Sequence, residues 1–183
     1  ILDTFSLIAY CILDIGYWSL ILSRLLLIAY YLLLLIFPTM DLNQYTIKAA
    51  EAIQNAQNIA KQNHNQQITP LHLLISLINQ PDGLVPAILQ KIDIEPHTLN
   101  QSLKTALANQ PQITGNGGIY LSPELQQVFN VSQTEAQNLS DEYISTEHLL
   151  LALLQDKSIA KMLATDKDQI LQAIKEIRGS QKV

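Results

Sequence analysis

One short phrase of this sequence occurs twice, and the second copy lies 76 residues after the first. The copies are Ile68–Leu74 and Ile144–Leu150, and each contains a hydroxyl residue, a histidine three residues later and an apolar run. The same offset relates the segments before them: Ala49, Ile53, Ala56 and Ala60 correspond to Leu125, Phe129, Ser132 and Ala136. Self-similarity at a fixed offset indicates a repeated structural unit. The sequence therefore predicts two copies of one helical unit.

Helix start signals divide the first copy into four helices. Thr46 is a candidate N-cap, and Thr69 precedes Pro70, which suits the first helical position because its missing N–H needs no partner there. A turn that includes Gly83 comes before a short third helix, and Glu95 begins the fourth. The second helix is apolar almost all round, so it is predicted to be buried on every side.

The second copy repeats these signals after a connector. Residues 108–121 contain a proline and three glycines, and they are predicted to form a flexible link. Ser122 is then an N-cap with Pro123 behind it, Ser145 caps the next helix, and Gly179 ends the last one. Both copies therefore contain four predicted helices.

Each predicted unit is too small to have a robust core of its own. A single core is marginal at about 55 residues, so each unit is expected to bury its apolar face on the other. Two copies are too few for a solenoid, which needs at least about three repeats. The predicted fold is all-α, with two tandem four-helix repeats at 40–107 and 122–183 packed as a pseudo-twofold pair.

An apolar leader, residues 1–39, differs from everything that follows. Ile15–Phe37 is almost wholly apolar, and about 20 such residues suffice to cross a bilayer. Yet the sequence does not begin with methionine, two aspartates interrupt the leader, and Met40 opens a segment of different composition. We expect Met40 to be the natural start, with a membrane segment as the alternative. A cleaved signal is disfavoured because no basic stretch precedes the apolar run.

Composition and motifs exclude several classes of function. The formal charge of −5 offers no basic stripe for phosphates, so neither DNA nor RNA is an expected partner. The single cysteine, Cys11, lies in the leader, so thiolate sites are not expected elsewhere. The sequence has no Gly-x-x-x-x-Gly-Lys-Ser/Thr phosphate cradle, and a nucleotide site is therefore not expected.

His72 and His148 occupy equivalent positions in the two copies. A helical metal site would need a second ligand four residues on, but Ser76 and Ala152 stand there. Duplication explains the pair without a metal, so each ring is expected to form hydrogen bonds at a helix start. We predict no metal, no other cofactor and no catalytic residue.

Several features occur in a characteristic order along residues 40–183. They are the opening Met40–Thr46, the two histidine phrases, the glycine-containing connector and the closing Ile177–Gly179. Together they resemble the N-terminal double-repeat domain of the ClpB disaggregase family. The resemblance implies a cytoplasmic, non-enzymatic module that recognises unfolded or aggregated polypeptide and delivers it to the AAA+ ATPase ring of the same full-length protein. Because this sequence contains no such ring, we expect a fragment or a truncated gene product.

The resemblance implicates Thr46, Asp141 and Glu147 in substrate binding. Each also has a structural interpretation: Thr46 as an N-cap, Glu147 as an acid that complements a helix dipole, and Asp141 as a loop residue. The two acids are expected to favour peptides that combine apolar and basic residues, with a salt-dependent affinity. A peptide groove is expected between the repeats, lined by helix starts and a few exposed apolar side chains.

Two other functions are compatible with the sequence. The domain could be the adaptor-docking module of a Clp protease chaperone, which binds partner proteins rather than unfolded chains. It could also be a membrane-tethered binding protein that uses residues 15–37 as its anchor.

Overall fold

The computed structural model describes residues 42–113 and 118–179, together with Arg24 and Val183. Its contacts separate Ile1–Asp41 from a compact unit, Leu42–Val183, which contains both repeats. The expectations about the leader, and about the glycines at positions 115 and 117, lie outside the described residues.

The two repeats have matching helices. After a short 3-10 helix, Leu42–Gln44, the first repeat contains α1 Ile47–Gln62, α2 Pro70–Ile78, α3 Leu84–Lys91 and α4 Pro96–Ala108. The second contains α5 Pro123–Asn138, α6 Thr146–Leu153, α7 Lys157–Leu163 and α8 Lys167–Arg178. The all-α prediction and its helix starts are confirmed.

Equivalent hydroxyl residues cap the first helix of each repeat. The hydroxyl of Thr46 accepts a hydrogen bond from the N–H of Ala49 at 3.3 Å, and that of Ser122 accepts one from Leu125 at 3.2 Å. Each cap satisfies one of the N–H groups that a helix start leaves without an intrahelical partner. The predicted caps are therefore present in both repeats.

Two short backbone pairings join the repeats, and a pseudo-twofold axis relates one pairing to the other. Strand β1, Gln67–Ile68, pairs in parallel with β2, Tyr120–Leu121, and Tyr45 forms the equivalent bridge with Ile144. In both pairings, the segment before the first helix of one repeat contacts the segment before the second helix of the other. Such reciprocal exchange is what a twofold arrangement requires. The sequence pattern did not predict these two-residue strands.

The core spans both repeats. Every residue of α2 and of α6 is buried, and these two helices pack against each other and against α1. Their fully buried leucines include Leu73, Leu74, Leu77, Leu149 and Leu150. Both helices are short, and no helix in the described ranges is long and apolar enough to cross a bilayer. The prediction that the apolar second helix belongs to the core is confirmed.

Candidate functional site

The duplicated histidines cap the helices on which they lie. The N–H of Thr69 donates to Nδ1 of His72 at 3.0 Å, and the N–H of Ser145 donates to Nδ1 of His148 at 2.9 Å. Both rings are fully buried. Because Nδ1 accepts a hydrogen bond, each neutral ring has its proton on Nε2. The predicted hydrogen bonds at the helix starts are confirmed.

The second ring nitrogens contact different residues in the two repeats. Nε2 of His72 lies 3.2 Å from Oδ1 of Asn65, whereas Nε2 of His148 lies 3.0 Å from Oδ2 of Asp141. Burial lowers the pKa of His72 to about 4. Burial also lowers the pKa of His148, although the carboxylates of Glu147 and Asp141 oppose this effect. Both rings are therefore neutral at pH 7.

Ser145, His148 and Asp141 have the composition of a hydrolytic triad, but their geometry is that of a helix cap. The hydroxyl of Ser145 lies 3.0 Å from Nδ1 of His148, yet the main-chain N–H of Ser145 already donates to that nitrogen at 2.9 Å. A general base needs a lone pair that can take the nucleophile's proton. The first repeat has the same cap with Asn65 in place of the acid, so the arrangement follows from the duplication.

Asp141 is the centre of a buried polar cluster, which comprises Asp141, Glu147, His148 and Arg178. Its oxygens lie 2.6 and 2.8 Å from the two terminal nitrogens of Arg178, and Oδ1 also accepts the N–H of Val183 at 2.8 Å. Its side chain has no exposed surface. Burial acts to raise the pKa of Asp141, but the hydrogen bonds from Arg178 and Val183 hold it below its ordinary value. Asp141 is thus ionised at neutral pH.

Glu147 lies on the other side of the same guanidinium. Its Oε1 is 3.3 Å from Nη1 of Arg178, and only 3% of its side chain is exposed, against 11% for Arg178. Arg178 therefore joins the two acids that the sequence analysis selected. Thr46 is not bonded to this cluster and instead caps α1.

A shallow cleft of about 490 Å³ brings Thr46 and Glu147 to one surface. This first cleft lies between the start of α1, the start of α6 and the end of α8. Six of its lining residues are Thr46, Ile47, Leu84, Glu147, Ile177 and Arg178. Asp141 does not line the cleft but holds Arg178, which does. A cleft lined by helix starts and a few exposed apolar side chains thus lies between the repeats.

Exposed apolar side chains at this cleft were not selected from the sequence. Ile47 is 79% exposed at the first position of α1, and Ile177 is 38% exposed near the end of α8. The sequence did contain a signal for Ile47: it does not lie on the helix face that Ala49, Ala52 and Ala56 bury, so an apolar side chain there is exposed. Arg178 was noticed only as part of a helix end, because its partners lie 31 and 37 residues earlier in the chain.

The polar groups beneath the cleft are bonded to one another. Arg178 is paired with both Asp141 and Glu147, and the histidine nitrogens are occupied by hydrogen bonds. No group of three potential metal ligands occurs among the residues with described placement. The surface of the first cleft presents exposed apolar side chains next to a buried arginine.

Fold and site together define a duplicated helical domain with a cleft between its repeats. The family model for the Clp repeat (R) N-terminal domain matches residues 44–166. This chain therefore belongs to the Clp N-terminal domain family, as the order of its sequence features indicated.

Named relatives show where the match falls. The chain is 38% identical over 152 residues to the chaperone protein ClpB of Bacillus cereus, covering 79% of this chain and 18% of that protein. It is also 38% identical over 146 residues to ClpB 1 of Synechococcus elongatus, covering 77% and 17%. The chain thus spans less than one fifth of the length of these chaperones.

Solved structures share the fold. The Hsp104 N-terminal domain from Candida albicans matches with a TM-score of 0.68 at 29% identity, covering 76% of this chain and 94% of that one. The N-terminal domain of the ClpV1 ATPase from Escherichia coli matches with a TM-score of 0.64 at 23% identity, covering 77% and 89%. A ClpV N-domain solved in complex with a VipB peptide matches at 0.54 and 17% identity, covering 74% and 80%. The last two likenesses concern the fold alone.

Proposed function

We propose that this domain recognises exposed segments of unfolded or aggregated polypeptide for a ClpB-like disaggregase. The carrying observation is the first cleft, where Ile47 and Ile177 are exposed beside a polar floor. Large exposed apolar side chains at a concave surface favour contact with apolar segments of another chain. The cleft needs both repeats, so the division into 40–107, a connector at 108–121, and 122–183 is part of the same proposal.

Three residues have distinct roles in this proposal. Thr46 and Glu147 line the cleft and contact the bound segment. Asp141 is a positioning residue, because its carboxylate is buried and acts on the cleft through Arg178. The predicted preference for basic peptides is kept, because the two acids Asp141 and Glu147 share a single guanidinium, that of Arg178.

In this proposal, catalysis belongs to another part of the full-length protein. The domain itself performs no reaction and works in the cytoplasm beside an AAA+ ring of the same full-length protein. Support comes from the relatives named ClpB, of which this chain matches only a small N-terminal part. Weak binding is expected, since the cleft is shallow and an open surface excludes little water.

The test is a titration of the full chain against a fluorescently labelled polypeptide kept unfolded by reduced and blocked cysteines. Ile47→Ser is expected to weaken binding about tenfold, because burial of such a side chain contributes roughly 1.5 kcal/mol. Tyr143→Ser is the matched control, since Tyr143 is 43% exposed but does not line the first cleft. Equal affinities for all three proteins would overturn the proposal.

Adaptor docking is a second candidate, because the exposed side chains of Ile47 and Ile177 at the first cleft would also pack against a partner protein of defined sequence. A docking module recognises a defined amino-acid sequence, whereas a module for unfolded chains recognises a composition rich in apolar residues. A candidate partner peptide and its scrambled version separate the two. Equal binding supports recognition of unfolded segments, and loss of binding on scrambling supports an adaptor.

A further inference from the structure

A second cleft on this domain is the pseudo-twofold counterpart of the first. It has a volume of about 240 Å³, and Thr69, Pro70, Leu71, Glu124, Ser158 and Met162 line it. The first cleft uses the starts of α1 and α6, and the second uses the starts of α2 and α5, which are the equivalent helices of the opposite repeats. The duplication has therefore produced two clefts with the same backbone framework.

The side chains of the two clefts differ in charge. The first contains Lys48 together with Arg178, whose guanidinium is paired with Glu147 and with the buried Asp141. At the position equivalent to Lys48, the second cleft has Glu124, and Asp156 lies on its rim. Its lining residues within the described ranges include no lysine or arginine. The second cleft therefore has an acidic rim, although it shares its framework with the first.

The floor of the second cleft is apolar. Leu71 replaces the glutamate found at the equivalent position of the first cleft, and Pro70 precedes it. Met162 is 37% exposed beside them. A methionine side chain is flexible and polarisable, so it adapts to apolar groups of different shape.

We propose that the second cleft binds polypeptide segments in which an apolar side chain stands next to a lysine or arginine. The apolar group packs on Leu71 and Met162, and the cation lies against Glu124, which is exposed at the first turn of α5. Charge complementarity selects basic over acidic segments, and salt screens this selection. The domain thus has two clefts of different specificity.

Methionine labelling gives a local readout, because the sequence contains only Met40 and Met162. The full chain is labelled with methyl-¹³C methionine, and Met162→Leu assigns the two signals. The probe is a 12-residue capped peptide with two Leu–Lys pairs separated by Gly and Ser, and its Leu–Glu version is the comparison. The Leu–Lys peptide is expected to shift the Met162 signal in a saturable manner, with the Leu–Glu peptide at least about threefold weaker.

Two charge reversals complete the test. Glu124→Lys is expected to weaken the Leu–Lys titration of Met162 at least about threefold, and Lys48→Glu, in the first cleft, to leave it unchanged. An unmoved Met162 signal, equal responses to both peptides, or no effect of Glu124→Lys would overturn the proposal. A signal that changes with protein concentration alone would also overturn it, by identifying a second copy as the occupant. Ile47 does not line the second cleft, so Ile47→Ser is expected to leave this signal unchanged, and failure at the first cleft is distinguishable.

Discussion

Asn65 and Asp141 occupy the same position of the two repeats, and each lies against the Nε2 atom of the histidine seven residues further on. Each also fixes the chain that follows the last helix of its repeat. Nδ2 of Asn65 donates to the oxygen of Pro111 at 2.9 Å, and Oδ1 of Asp141 accepts the N–H of Val183 at 2.8 Å. The histidine cap is therefore supported by a neutral amide in the first repeat and by a carboxylate in the second. Only the carboxylate forms an ion pair with Arg178.

Asp141→Asn tests the ion pair with Arg178, because it replaces the carboxylate by the amide that stands at this position in the first repeat. Arg178 would keep its charge with a weaker partner in a site where 11% of its side chain is exposed. Loss of the bidentate pair is expected to lower the free energy of unfolding by about 2 kcal/mol. Urea denaturation of the full chain at pH 7, followed by circular dichroism, measures the change.

Arg178→Met provides the control for this prediction. In the Asp141→Asn background it removes the guanidinium that also contacts Glu147, so the double variant leaves that buried carboxylate without its cation and is expected to be less stable than Asp141→Asn alone. If Asp141→Asn alone is as stable as the native chain, the ion pair does not stabilise the fold and the expectation is wrong.

Stability is expected to fall in mild acid because of His72. The unfolded histidine has its ordinary pKa of 6.5, whereas burial lowers the folded pKa to about 4. Between these values the unfolded chain binds a proton that the folded chain does not, so unfolding is favoured as the pH falls. The loss from His72 is up to about 3 kcal/mol at pH 4. His148 acts in the same direction, since its pKa is also lowered.

Urea denaturation at several values between pH 7 and pH 4 measures this dependence. His72→Gln is the control, because glutamine at this helical position can accept the same N–H of Thr69 without titrating. The variant is expected to show a shallower decline than the native chain. If the free energy of unfolding falls equally with pH in both proteins, protonation of His72 does not contribute to this decline and the expectation is wrong.

The duplication made most of the fold predictable. Thr46, Ser122 and Ser145 begin helices, and α2 and α6 are buried as their composition indicated, because caps and apolar runs act locally. The backbone exchange between Tyr45 and Ile144 was not predicted, since two paired residues give no period-2 pattern. Arg178 was missed for a related reason: its acids come from another helix start, and only tertiary packing brings them together.

Leu74 and Leu150 test whether the two repeats unfold as one. They are equivalent residues, both fully buried, on helices that pack against each other. Leu74→Ala and Leu150→Ala are each expected to lower the free energy of unfolding by about 2 to 5 kcal/mol. Because the core is shared, hydrogen exchange should accelerate to a similar extent in both repeats.

Leu84→Ala is the matched comparison, since Leu84 is only half-buried, and a smaller change is expected. Faster exchange confined to the mutated repeat would show that each repeat unfolds separately, in contradiction to a common core.

Thr46 has two possible contributions, and the pseudo-twofold symmetry separates them. Thr46 and Ser122 make the same cap in different repeats, but only Thr46 lines the first cleft. Thr46→Ala and Ser122→Ala are each expected to lower the free energy of unfolding by about 1 kcal/mol. Under conditions where both variants are folded, only Thr46→Ala is expected to weaken binding of the labelled unfolded polypeptide, and Thr46→Ser, which keeps the cap, to retain more of it. If Ser122→Ala weakens binding as much, the effect of Thr46 comes from helix stability alone, and its assignment to the ligand surface is wrong.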